Sequence, residues 1–240
     1  MSKEIGFLRE RKVAEIDQIV DRNNPMVIAS NYKGIILTQP VMLLSIVPGR
    51  VIFHTPEPIV SLTLKERVHL YSLAYREIVS ARVLKCNAII GNLELTDLTL
   101  TGRCWNERQT DRVQPRDPVY VYVEHNKALV RATMDNLSVG GMSLMACSYR
   151  EKALHTDFNK PVRLTFQLPG DNVQLDIKGK VVHTRQAGRL VINGVKLMAS
   201  SPQEKRIDRY VKARKSEILA ELERIFRETR EQYWMPDLYH

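Results

Sequence analysis

Apolar and polar positions alternate in two different rhythms along the chain. In residues 3–22, Ile5, Leu8, Ile16, Ile19 and Val20 recur at helical spacing with charges between them, which predicts an N-terminal helix. Asn23-Asn24-Pro25 ends that run. From Met26 the rhythm shortens. Val27–Ser30, Gly34–Thr38, Val41–Val47, Val51–His54, Val60–Leu64, Val68–Leu73 and Ala81–Ile90 are short runs rich in Val, Ile, Leu and Thr, separated by Pro-Gly, Thr-Pro and Gly-Asn turns. Strands of this length, punctuated this way, predict a small antiparallel barrel.

Residues 103–118 (RCWNERQTDRVQPRDP) break the rhythm. They hold four arginines, two prolines and no apolar period, and read as a linker with little apolar material to anchor it. Six further strand-like runs follow: Val119–Val123, Leu129–Thr133, Met142–Ala146, Val162–Leu168, Val173–Thr184 and Leu190–Met198. They predict a second antiparallel barrel. A long helix is then expected, with Ser201 as its cap, Pro202 in its first turn and Glu204 three residues after the cap. Ile207, Val211, Ile218, Leu222 and Ile225 form its apolar stripe. The fold expected is mainly β: two small antiparallel β-barrels joined by an Arg-rich linker, with an N-terminal helix and a long C-terminal helix. The domains fall at 1–102 and 103–240.

Composition adds little until charge is considered. Apolar residues are 44% and charged residues 26% of the 240, ordinary for a soluble chain. The longest apolar stretches, such as Val41–Val47, are far short of the roughly 20 residues a bilayer span needs. The charged N-terminus carries no apolar signal-peptide core, so a cytoplasmic location is expected. Cys86, Cys104 and Cys147 are scattered and odd in number; they read as buried or half-buried thiols, and neither they nor the six histidines have metal-ligand spacing. The net charge of +9 is uneven. Residues 1–100 carry 12 Lys/Arg against 10 Asp/Glu, leaving +7 for the rest. That excess favours an anionic partner: nucleic acid, membrane headgroups or a small phosphate ligand.

Two short patterns give the charge a chemistry. The linker holds Arg108-x-x-x-Arg112, and 24 residues on comes Asn136-Leu137-Ser138-Val139-Gly140-Gly141 at a tight turn between two strands. An arginine fork donates two parallel hydrogen bonds to the O6 and N7 of guanine, and it also suits phosphate or a purine face. The Asn amide and Ser hydroxyl offer short polar partners from a rigid turn. Gly140 and Gly141 are expected to permit positive φ and close backbone approach to a planar ligand. Each pattern alone is commonplace; their conjunction ahead of a barrel and a closing helix is rare. Arg112 and Arg116 fit the first pattern as well, although Arg116 lies just before Asp117-Pro118 and the first strand.

These residues resemble the signature of the PilZ family of cyclic di-GMP receptors, Arg-x-x-x-Arg followed by Asp/Asn-x-Ser-x-x-Gly. Here its positions are Arg108, Arg112, Asn136, Ser138 and Gly141, and Gly194-Val195 is similar to the family's late Gly-Val pair. The resemblance covers roughly residues 103–215. It implies a six-stranded barrel, arginines that contact guanine and phosphate, Asn and Ser positions that read the guanine edge, and no catalytic activity or cofactor. The position before the first arginine, which in some members is another arginine that helps take up a pair of ligand molecules, is Glu107 here. The order of the two barrels resembles YcgR-type flagellar brake proteins, with a degenerate PilZ-like barrel as the alternative for residues 1–102.

The function expected is therefore a cytoplasmic cyclic di-GMP receptor. It would act on a protein partner through the N-terminal barrel and regulate motility, adhesion or exopolysaccharide. A basic nucleic-acid-binding regulator is the reading from a different class, but no recognition-helix motif and no aromatic cluster in a strand support it. A PilZ fold that has lost ligand binding is another. An enzyme acting on cyclic di-GMP would need metal-binding carboxylates beside a general base, and the acidic residues are dispersed.

Overall fold

The structure, a computed structural model, describes residues 26–56, 58–72, 78–101, 110–125, 128–147 and 161–234. The N-terminal helix expected over 3–22 lies outside the described residues. The chain divides into two compact units: Met1–Tyr32, Ile36–Gln109 and Ala220–His240 in one, Lys33–Ile35 and Thr110–Leu219 in the other.

The first unit is built on a closed antiparallel barrel. Its strands are β1 (Met26–Tyr32), β2 (Ile35–Val47), β3 (Arg50–His54), β4 (Arg67–Ser72), β5 (Ile78–Asn87) and β6 (Asn92–Thr101), in the order β1-β2-β3-β6-β5-β4. Inward positions supply the core: Ile28, Phe53, Leu70, Val79, Leu93 and Leu95 are all at most 1% exposed. Between β5 and β6 the Asn87 carboxamide accepts from the Ile89 and Ile90 amides, and Gly91 follows at φ +71°. Thr55 N–H and Oγ1 both donate to the Gly91 carbonyl, at 2.7 and 3.0 Å. A Cβ on Gly91 would lie 2.3 Å from the Thr55 carbonyl oxygen, so only glycine closes this turn.

Three expectations for this barrel need correction. The runs Gly34–Thr38 and Val41–Val47 are one strand, β2. The run Val60–Leu64 is not a strand; Pro58–Thr63 is a 3-10 turn. The Thr63 hydroxyl donates back to the Val60 carbonyl at 2.7 Å, and the Leu64 amide donates to the Ser61 carbonyl. Such local bonds outcompete strand pairing where Ser and Thr cluster. The strand β6 has no counterpart among the expected runs, because its apolar phase slips. Leu93 and Leu95 alternate, then Asp97 at φ +51° shifts the next leucines to Leu98 and Leu100. Of two shifts in the β5–β6 register, one spans Asp97 and the other falls just before it, at Leu95 and Glu94.

The second barrel holds all six expected strands: β7 (Tyr120–His125), β8 (Ala128–Ser138), β9 (Gly141–Cys147), β10 (Pro161–Gln167), β11 (Gln174–Ala187) and β12 (Leu190–Met198). They close in the order β10-β11-β12-β9-β8-β7. Alternation along β7, buried at Val121, Val123 and His125 and exposed at Tyr120, Tyr122 and Glu124, is the half-buried pattern of a barrel wall. Cys86 is half-buried, and burial raises its thiol pKa above the ordinary value. Cys147, expected in a buried or half-buried place, is exposed because the alternation of β9 points its last residue outward.

The helix α1 (Ser201–Trp234) follows β12. Its cap is Ser200 and not Ser201. The Ser200 carbonyl accepts the first helical bond, from Glu204 N–H at 2.9 Å, and the Gln203 side-chain oxygen accepts from Ser200 N–H at 2.8 Å. This is the backward arm of a capping box shifted one residue from the expected frame. Gln203 also donates to the Asp176 carbonyl, and Arg206 pairs with Asp171 at 2.9 Å, fixing the helix start to the β10–β11 hairpin. Arg206's hydrogen bond holds the Asp171 carboxyl below the usual carboxylate range. Among the described residues no helix is long and apolar enough to cross a membrane. Ser200→Ala should lower the stability of the second unit by about 1 kcal/mol, while Ser201→Ala should change it by a few tenths at most. Urea denaturation of both variants checks the frame; equal losses would contradict it.

Candidate functional site

The site begins with an unpaired edge. Strand β8 runs to Ser138, but β7 starts only at Tyr120, opposite Thr133, so the last residues of β8 lack β7 as a neighbour. The chain before β7 fills the gap. Val119 O accepts from Met134 N–H at 2.8 Å, and Val113 and Leu137 exchange both backbone hydrogen bonds at 2.9 Å. Val113 and Leu137 are both fully buried, and Pro115 is buried too. The expectation that this segment has little to anchor it therefore fails from Val113 onward. One valine and one proline, too few to make a period, are enough when the partner strand offers an open edge.

This pairing brings one arginine of the first pattern, Arg112, to the second pattern. In antiparallel register the positions flanking Val113 and Leu137 are Arg112 against Ser138 and Gln114 against Asn136. Arg112 is partly exposed and Arg116 is exposed. Arg108 and Glu107 lie outside the described residues.

Within β8 a bulge at Asp135 breaks the register with β9, so that Met134 pairs with Leu144 and Asn136 with Ser143. Bulges re-aim side chains in this way. Asn136 Nδ2 donates to Asp135 Oδ2 at 2.8 Å, and Asn136 Oδ1 is buried with no hydrogen-bond partner. A buried acceptor left unpaired costs about 1–3 kcal/mol, which makes it a natural contact for an incoming donor. Ser138 is 2% exposed, and its hydroxyl donates to the Gly141 carbonyl at 2.9 Å across the hairpin. Its hydrogen closes the turn, and its lone pairs remain as acceptors.

The glycines serve differently from expectation. Neither Gly140 nor Gly141 has positive φ. A Cβ on Gly141 would come within 2.8 Å of the Val195 carbonyl oxygen, so this glycine permits β9 to lie close to β12. Gly140 has open space around its Cβ position, and its carbonyl accepts from Leu197 N–H at 3.1 Å. Sequence reasoning also missed a row of residues running across the sheet from Asn136: Ser143 on β9, Gly194 on β12 and His183 on β11. A second bulge, between Val181 and His183, lies at the end of that row. Gly194-Val195 was legible as a pair, but its register with Asn136 was not. Among the described residues no group of three or more His, Cys, Asp or Glu side chains could hold a metal ion.

The fold and this geometry define a class: a closed six-stranded antiparallel barrel whose β8–β9 hairpin is bridged by an arginine-bearing segment. Residues 106–213 match the family model of the PilZ domain, and over that span the chain is a PilZ domain. No curated protein matches the chain. Among solved structures it is similar to MotI/DgrA, the inhibitor of motility of Bacillus subtilis, at 12% identity, covering 82% of this chain and 99% of that one with a TM-score of 0.41. It is also similar to MrkH of K. pneumonia in complex with c-di-GMP (12% identity, 90% and 95% covered, TM-score 0.43). YcgR of Escherichia coli in complex with c-di-GMP matches at 14% identity, with 95% and 93% covered and a TM-score of 0.37.

Gly141→Ala should destabilise the PilZ domain by about 1–3 kcal/mol, because the obstructing atom is a strand carbonyl that cannot turn away. Gly140→Ala, with nothing within 4 Å, should leave thermal stability nearly unchanged. A scan in which both substitutions behave alike would contradict this assignment.

Proposed function

We propose that this chain is a receptor for cyclic di-GMP, with Arg108, Arg112, Asn136, Ser138, Gly140 and Gly141 forming the ligand site. The observation that carries the reading is the Val113–Leu137 pairing, whose register puts Arg112 against Ser138, two residues along β8 from Asn136 with its unpaired Oδ1. An arginine fork meets the two acceptors on one edge of guanine. A free carboxamide oxygen suits the N–H groups on the other edge. The excess positive charge after residue 100 favours the two phosphates. Gly140 and Gly141 contribute backbone at the turn.

Isothermal titration tests the reading directly. Wild type should bind one cyclic di-GMP per chain, since Glu107 in place of an arginine would repel a second pair of phosphates. Arg108→Ala and Arg112→Ala should each cost about 1–3 kcal/mol, roughly ten- to a hundredfold in Kd. Asn136→Ala and Ser138→Ala should also weaken binding. Cyclic di-AMP should bind poorly, because adenine presents a donor where guanine presents O6. Wild-type affinity in Arg112→Ala, or equal affinity for both dinucleotides, would sink the assignment. A steep loss of binding with salt would instead favour a nucleic-acid ligand.

The output in this reading is a change in the relative placement of the two units that exposes or hides a partner surface on the first barrel. The segment with Arg108 and Arg112 joins the units, so a ligand that favours one arrangement of it shifts the population toward that arrangement. The regulated process would be motility, adhesion or exopolysaccharide export. Solution scattering should change on adding cyclic di-GMP to the wild type and stay constant for Arg112→Ala. Identical wild-type curves with and without ligand would refute the switch while leaving binding intact.

A further inference from the structure

The apolar stripe of α1 has a charged residue in its middle. Ile207, Val211, Ile218 and Leu222 are buried along one face, and the position that continues the spacing between Val211 and Ile218 is Arg214, itself only 6% exposed. A guanidinium in such a place must find hydrogen-bond partners. Its Nε donates to the Gln114 carbonyl at 3.0 Å and one terminal nitrogen to Glu217 at 2.8 Å. The next residue, Lys215, pairs with Asp111 at 2.7 Å. The helix thus holds the chain on both sides of the Arg112–Val113 dipeptide, at Asp111 and at Gln114. The barrel holds it between them through Leu137.

We infer that Arg214 is a positioning residue for the ligand site: it fixes the Gln114 carbonyl and so holds Arg112 in register with Ser138, with Lys215 as a weaker second tether. The inference rests on the cyclic di-GMP reading for its effect on affinity, but the anchoring itself can be measured without ligand. A charge-assisted bond to a backbone carbonyl fixes the chain at one atom and is worth more than a neutral one. An apolar side chain of similar length would fill the stripe and leave the carbonyl free. Lys215 is more exposed, so its tether is worth less.

The test pairs titration of cyclic di-GMP with amide hydrogen exchange on the full chain. In Arg214→Met, Kd should rise about five- to tenfold, the scale of one charge-assisted hydrogen bond partly spent on reordering the segment. The Val113 amide should exchange faster, while amides in β9 and β12, such as those of Leu144 and Val195, keep their rates. Arg214→Lys, which keeps a charge and one donor, should recover part of both effects. Lys215→Met should raise Kd by about twofold. Unchanged Kd and unchanged Val113 exchange in Arg214→Met would overturn the inference. So would a rise in Kd accompanied by faster exchange throughout the barrel, which marks a purely structural role. Should Arg214→Met not fold, Arg214→Lys alone decides, with wild-type Kd and wild-type Val113 exchange counting against. If wild type binds no cyclic di-GMP, the functional reading fails, and Val113 exchange still decides the anchoring.

Discussion

Everything at the candidate site depends on one constraint: the end of β8 cannot be left unpaired. Leu137 is fully buried, so its N–H and C=O need partners within the protein, and an unsatisfied group of either kind costs about 1–3 kcal/mol. Strand β7 starts too late to supply them. Val113 does, from a stretch that otherwise looks like a linker. Once that double hydrogen bond forms, the position of Arg112 is no longer free. The chain has six dihedral angles between the α-carbons of Arg112 and Pro115, and pairing at Val113 with burial of Pro115 removes most of their freedom. The motif arginine is thus located by the hydrogen-bonding needs of its apolar neighbours.

The bulge at Asp135 is the second half of the same arrangement. Without it, strict alternation from the buried Met134 would bury Asn136 and expose Leu137. With one residue inserted, Leu137 becomes the buried anchor for Val113, and Asn136 joins the row of Ser143, Gly194 and His183. The bulge therefore explains why an asparagine with an unpaired oxygen and a leucine with no exposure can be neighbours in one strand. The close approach of β9 to β12 at Gly141 keeps the hairpin tip against the barrel, and the Ser138 hydroxyl locks that turn from within.

How much of this was legible in the sequence follows from what carries each feature. The six strands of the second barrel were readable because each contains an alternating stretch, as in Leu164 and Phe166 of β10 or Val191, Val195 and Leu197 of β12. The motif residues were readable because their spacing is local. What escaped was phase and register. β6 disappeared behind the slip at Asp97, the 3-10 turn at Pro58–Thr63 carried strand-like residues, and the helix cap was one residue off because serines stand at both 200 and 201. The role of Val113 was invisible for a different reason. A single buried valine has no period, and its partner lies 24 residues away. Arg214 did leave a sequence signal, a gap in an otherwise regular stripe. A gap says only that the position is polar, and the carbonyl it serves is 100 residues earlier.

The anchoring also changes where the cost of ordering falls. Fixing a residue's backbone costs about 1–2 kcal/mol, so a ligand that had to order the whole stretch from Asp111 to Pro118 would lose most of its contact energy doing so. Here that stretch is already held by Leu137, Arg214 and Lys215, and its ordering is part of folding. In the proposed receptor a dinucleotide meeting Arg112 would gain nearly the full value of its contacts. The same fact limits signalling. A ligand shifts an equilibrium only by its differential affinity for the two states. In the proposed switch a segment fixed from Asp111 onward would present the same Arg112 to the ligand in both states and would contribute little to that difference. In a switch of this kind, affinity would reside with Arg112 and the barrel, and the change of state would have to be carried by the contacts of Arg108.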